Sequence, residues 1–136
     1  MSDFPITIFH NPACGTSRNT VAMVEAAGYE PEVVEYLQAG WTKPQLQELL
    51  AAMGAKPRDI LRDKGTPAAE LGLLETGVSD DAILDAMVAH PILVNRPIVV
   101  TPKGVKLARP SEAVLDFLER KPQSFTKEDG EVVRIA

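Results

Sequence analysis

The run Ile6-Thr-Ile-Phe-His10 is short and β-branched, and Asn11-Pro12 closes it, so it reads as a strand ending in a turn. A helix is expected directly after it. Thr16 or Ser17 can cap that helix, Val21 and Val24 give it an apolar side, and Gly28 stands where a C-terminal cap glycine belongs. Glu30 to Tyr36, centred on Val33 and Val34, reads as a second strand. Two strands joined by one helix form a βαβ unit, whose crossover is right-handed and whose strands are parallel.

Beyond Gly40 the texture changes. Thr42 and Gln45 carry a capping-box signature ahead of Leu46, Leu49, Leu50 and Met53 at helical spacing. Short helices are expected near Pro57 and Pro67, and a clearer one after Ser79, with Ile83, Leu84 and Met87 on one face. Residues from about 42 to 90 therefore read as a helical insert. Ile98-Val-Val-Thr101 and Val105 to Ala108, flanking Pro102-Lys-Gly104, read as a hairpin. Ser111 opens a last amphipathic helix through Val114, Leu115 and Leu118, and the stretch from about 121 to 136 is a polar tail. The order β-α-β, helical insert, β-β-α is that of an α/β, thioredoxin-like fold: a mixed four-stranded sheet with helices inserted after the second strand. At 136 residues a single domain, 1–136, is the natural size.

Composition removes several classes. With 45% hydrophobic and 24% charged residues the chain can bury a core of its own. The longest apolar, charge-free stretch, about ten residues near Ala86 to Asn95, falls far short of the roughly 20 that span a bilayer. Met-Ser-Asp-Phe-Pro lacks the basic and apolar regions of a secretory signal, which points to a cytoplasmic, reducing location and no membrane partner. One cysteine and two histidines exclude an internal disulfide and the usual zinc sites, so no metal is expected. A net charge of −5 argues against nucleic acid as a partner.

That net charge conceals an uneven distribution. Phe4 to Val24 and Ala86 to Ser111 contain no acid, yet they hold Arg18, Arg96, Lys103, Lys106 and Arg109. If these windows meet in space they form a positive site in an acidic protein, suited to a small anion. Core strands would also exclude acids; the cations and the cysteine inside the windows favour the site.

Cys14 follows the first strand and its turn, at the start of the expected helix. Backbone N–H groups and the helix dipole there favour an anion and lower a thiol pKa. Free cysteine is often a small buried hydrophobe, but the flanks here, His10-Asn-Pro-Ala-Cys-Gly-Thr-Ser-Arg18, are polar and glycine-bearing. Asn11, Thr16 and Ser17 offer donors or caps, and an imidazolium at His10 would help hold a thiolate. Cys14-Gly-Thr-Ser17 has the spacing of Cys-X-X-Cys with serine in second place, so any redox chemistry must borrow a resolving thiol. A phosphatase loop needs an arginine at position 20, which is Thr20, and no histidine can be assigned as the base of a cysteine protease. Arg96-Pro97 and Arg109-Pro110 flank the hairpin, and Leu61-Arg62 comes from the insert; guanidinium forks suit a tetrahedral oxyanion. Arg58, Arg120 and Arg134 have no such context and read as solvated. Asp80, Asp81 and Asp85 read as helix-start acids rather than metal ligands.

His10 to Thr20, Leu61-Arg62, His90-Pro-Ile-Leu-Val-Asn-Arg-Pro-Ile-Val-Val-Thr-Pro102, Arg109-Pro-Ser-Glu112 and Phe125-Thr-Lys-Glu-Asp-Gly130 closely resemble the glutaredoxin-dependent arsenate reductases of the ArsC family. The resemblance implies a thioredoxin-like core, a nucleophilic Cys14, an arginine triad of Arg62, Arg96 and Arg109, and a His10 that helps keep Cys14 ionised. It also implies arsenate as substrate and glutathione as co-substrate, with glutaredoxin as partner and no bound cofactor. Two other readings use the same scaffold: a glutathione-dependent thiol reductase, which need not use all three arginines, and a non-enzymatic Spx-like regulator, against which Ser17 speaks.

Overall fold

Strand β1 (Thr7–His10) occupies an inner position of a four-stranded sheet of order β2-β1-β3-β4 in the computed structural model, which describes residues 4–109, 111–118, 124–127, 130 and 132–134. β1 pairs parallel with β2 (Glu32–Glu35), in the register Ile8↔Val33 and His10↔Glu35, as the βαβ reading requires. It pairs antiparallel with β3 (Ile98–Thr101), and β3 pairs antiparallel with β4 (Gly104–Leu107) through the turn at Pro102-Lys103. The sheet is therefore mixed, and the fold is thioredoxin-like with helices inserted after the second strand.

The chain divides into two compact units, one from the segments up to Glu35 and from Arg96 onward, the other Tyr36–Asn95. In the first, helix α1 (Gly15–Ala26) crosses from β1 to β2 and stops at Gly28, whose φ of 96° suits a residue without a side chain. Strand alternation sends Ile6 and Ile8 to the side where Met23 and Val24 of α1 and Val114, Leu115 and Leu118 lie, and these form one buried cluster with Phe4, Tyr29, Val99 and Ala108. β2 is a sheet edge, so Val33 remains exposed although its β-branched character helped to mark the strand.

The second unit begins with a one-turn helix α2 (Tyr36–Ala39), in residues read from sequence partly as strand. α3 (Lys43–Met53) starts on the expected capping box: Gln45 N–H donates to Thr42 Oγ1 at 3.2 Å and Thr42 N–H to Gln45 Oε1 at 3.4 Å. α4 (Asp80–Ala89) is capped by Ser79, and Lys43 Nζ lies 3.0 Å from a carboxylate oxygen of both Asp81 and Asp85, pinning α3 to α4. Pro57–Ile60 is a single 3-10 turn, whereas the segment at Pro67 forms successive turns instead of a helix. Arg58 is not simply solvated, since its guanidinium donates to the carbonyls of Leu73 and Glu75 and holds that turn-rich segment in place.

Two further differences concern the C-terminal part. The last expected helix is a 3-10 segment, Ser111–Phe117, and it ends before Leu118. Where polarity marked a tail, β5 (Ser124–Thr126) and β6 (Val132–Arg134) pair antiparallel. Pro110, Arg120 and the rest of the expected tail (121–123, 128–129, 131, 135–136) lie outside the described residues. Ile8→Ala empties a fully buried site and is expected to cost about 2–5 kcal/mol. Thr42→Ala removes only a cap and should cost about 1 kcal/mol. Urea unfolding of both variants checks the order.

Candidate active site

β1 ends at His10, and the chain turns through Asn11-Pro12-Ala13 into α1. Cys14 N–H donates to Asn11 O at 3.0 Å, and Asn11 Oδ1 accepts Ala13 N–H at 2.9 Å, so this turn is closed by its own first residue. The capping position expected for Thr16 or Ser17 is instead held by Cys14, in extended conformation, with its carbonyl accepting Arg18 N–H at 3.0 Å. No side-chain oxygen caps the helix. The sulfur stands where a capping oxygen ordinarily would, facing the orphan N–H groups of the first turn.

This position sets the electrostatics of the thiol. Burial pushes the Cys14 thiol up, but the N–H of Ser17, the Arg96 charge, the Arg109 hydrogen bond and the N–H of Thr16 together outweigh it. The thiol therefore lies below its ordinary range, although the residue is only 7% exposed. Arg109 Nη1 lies 3.7 Å from Cys14 Sγ and also donates to Arg96 O at 3.0 Å. The hairpin makes this meeting possible: Arg96 lies two residues before β3 and Arg109 two residues after β4, so both arginines fall at the same end of the sheet as the cysteine turn. The Arg96-Pro97 peptide is cis.

Beneath the turn, the buried Ser17 hydroxyl joins two of the expected supporting residues. Its Oγ accepts Asn11 N–H at 3.1 Å and lies 2.6 Å from His10 Nδ1. Burial pushes the His10 imidazole down and the Arg18 charge adds to this, while Glu35, its register partner on β2, pulls the other way; the net lies below the ordinary range. His10 reaches the cysteine turn through its contact with Ser17. Thr16 contributes its N–H to the sulfur and its carbonyl to Thr20 Oγ1 at 2.9 Å.

Not every cation of the acid-free windows serves this site. Lys103 Nζ donates to Leu118 O, and Lys106 lies over the Phe117 ring at 5.2 Å, so both brace the C-terminal segment. Arg18, read from sequence only as one cation of the acid-free windows, donates to Pro12 O at 2.7 Å and clamps the cysteine turn. Arg62 belongs to the second unit, where its N–H donates to Leu93 O at 2.7 Å beside the Leu61–Val94 bridge, and Thr66 Oγ1 donates to its carbonyl. Among the described residues no group of three or more His, Cys, Asp or Glu gathers to hold a metal, and no helix is long and apolar enough to cross a membrane.

The model of the ArsC family matches residues 9–117, which include the cysteine turn, the insert, the hairpin and both flanking arginines. The chain belongs to the ArsC family. An arsenate reductase of Synechocystis sp., ArsI1, is 60% identical over 134 residues, covering 98% of this chain and 93% of that one. The arsenate reductase of Escherichia coli K12 is 52% identical over 129 residues, 94% of this chain and 92% of its own. Among solved structures, an arsenate reductase from Vibrio cholerae superposes with a TM-score of 0.81 at 37% identity, over 86% of this chain and 100% of the other.

In this ArsC protein Cys14 should titrate below the ordinary thiol pKa of about 8.5. Arg96→Gln and Arg109→Gln should each move the midpoint up, as read from the pH dependence of iodoacetamide alkylation at the single cysteine. Because folding favours the thiolate, the native protein should gain stability over Cys14→Ser as pH rises through the native Cys14 midpoint toward the ordinary thiol value. That advantage should vanish below the native midpoint. Urea unfolding at several pH values measures it.

Proposed function

We propose that the protein reduces arsenate to arsenite, with Cys14 as nucleophile and with glutathione and glutaredoxin as the source of electrons. The observation that carries the reading is the Arg109 guanidinium 3.7 Å from a sulfur held at the start of α1, with Arg96 charge acting on the same sulfur. A depressed thiol among always-charged donors provides a nucleophile and an oxyanion binder in one place. The names of the relatives, arsenate reductases at 52–60% identity, support the same substrate.

Cys14 thiolate attacks arsenic, an S–As bond forms, and one arsenate oxygen leaves as water after protonation. Arg96 and Arg109 stabilise the charge on the remaining oxygens. Arg62 is kept as a third guanidinium for the anion on the strength of its sequence motif. Glutathione displaces a second oxygen, again as water. A glutaredoxin thiolate then attacks the glutathione sulfur; the As–S bond to glutathione breaks and its electron pair stays on arsenic, which passes from As(V) to As(III). The oxidising equivalents leave as a glutathione–glutaredoxin disulfide. Water releases arsenite and returns the Cys14 thiol. The chain's lone cysteine suffices because the other two thiols are borrowed. Such thiols belong to a reducing, cytoplasmic location.

Purified protein with arsenate, glutathione and glutaredoxin, coupled through glutathione reductase to NADPH, should show an arsenate-dependent rate, and its absence would overturn the proposal. Cys14→Ser should abolish turnover. Arg96→Ala is expected to lower arsenate kcat/KM at least tenfold, on the order of 1.4 kcal/mol.

A further inference from the structure

Glu112 is the first acid after the acid-free window that ends at Ser111, and it lies three residues beyond Arg109. It sits in the first turn of the 3-10 segment Ser111–Phe117. Its Oε1 accepts from Lys127 Nζ at 3.0 Å, with side chains 29% and 12% exposed. Burial pushes the Glu112 carboxyl up, but its own backbone N–H and the Lys127 ammonium more than offset this and hold it below the usual carboxylate range. Lys127 directly follows β5, so the ion pair joins the C-terminal hairpin to the chain just past Arg109. On its other side Arg109 is fixed by its own N–H to Leu107 O at 3.0 Å and by Ala108 N–H to Pro97 O at 2.9 Å. The path from β4 to the 3-10 segment is thereby tied at both ends, with the guanidinium that reaches Cys14 between the ties.

We infer that Lys127, acting through Glu112, is a positioning residue for Arg109 and so for the anion site. A partly buried ion pair is the kind of contact whose loss on one side is felt strongly, because it leaves a charge without its partner. Surface pairs contribute little, and the low exposure of Lys127 sets this one apart. Lys127, in the C-terminal part, thus gains a task at a site far from it in sequence.

The inference rests on the proposed role of Arg109, and its test includes a readout that needs no arsenate chemistry. Lys127→Gln should slow alkylation of Cys14 by iodoacetamide at pH 7 at least about twofold, because Arg109 is less well placed to hold the thiolate. It should raise the arsenate KM at least about fivefold with kcat changed less than about twofold, as loss of binding shared by ground and transition states requires. Lys127→Arg should restore both. Glu112→Ala should raise KM as well, and the double variant should be no worse than the more severe single one, the signature of residues acting as one pair. Unchanged alkylation and KM in Lys127→Gln, or additive losses in the double variant, would overturn the inference. If the native protein shows no arsenate turnover while Lys127→Gln still slows alkylation, the proposed function falls and the positioning role stands. Should Lys127→Gln fail to fold, the Glu112→Ala and Lys127→Arg arms decide: a KM raised in the first and normal in the second supports it, and normal in both overturns it.

Discussion

The sulfur of Cys14 at the capping position just before α1 is the interaction on which the rest depends. A helix start ordinarily carries an oxygen from Ser, Thr, Asp or Asn, which satisfies N–H groups that have no partner within the helix. Here those N–H groups point at a thiol. The same donors that would stabilise a cap stabilise a thiolate, so local helix energetics and the lowering of the thiol pKa become one contact. That contact is opposed by burial, which favours the neutral thiol; the helix N–H groups together with Arg96 and Arg109 from the hairpin outweigh it.

The sheet supplies the remaining geometry. β1 sends the chain into the cysteine turn, and its antiparallel neighbour β3 begins just after Arg96-Pro97 at the same end. β4 runs back to that end and delivers Arg109. Two arginines separated by a hairpin therefore meet one cysteine from a distant part of the sequence, without any long connection between them. Below the turn, Ser17 is held by Asn11 and His10, which fixes the first turn of α1 from the buried side. The polar network rigidifies the loop, while the charge that holds the thiolate comes from the arginines and the helix amides.

Much of this was legible in the sequence wherever a local rule decides. Asn11-Pro12 after a β-branched run, Thr42 with Gln45, Ser79 ahead of an apolar face, and Pro102-Lys-Gly104 between two strands each state their structure within a few residues. Tertiary context decided the rest. Tyr36 left the second strand to open α2, its hydroxyl donating to Val94 O at 3.0 Å, a partner no local pattern reveals. The segment after Ser111 tightened into a 3-10 form. The polar composition of the surrounding chain hid the C-terminal hairpin, whose strands are three residues each, too short to show an apolar alternation. At the site, residue types pointed to Cys14 and to Arg62, Arg96 and Arg109; Arg109 reaches the sulfur and the charge of Arg96 acts on it. The capping role of Cys14, the Pro12 clamp by Arg18 and the ion pair of Lys127 depend on distances that spacing alone does not give.

Intact-mass analysis after incubation with arsenate and glutathione, but without glutaredoxin, tests the central assignment most directly. The chain has one cysteine, so an arsenic–thiolate bond can form at one place only. The expected result is a mass increment carrying arsenic and glutathione on the native protein, absent without arsenate and absent from Cys14→Ser. The same increment on Cys14→Ser, or arsenite produced by that variant, would contradict the role given to the sulfur at the start of α1.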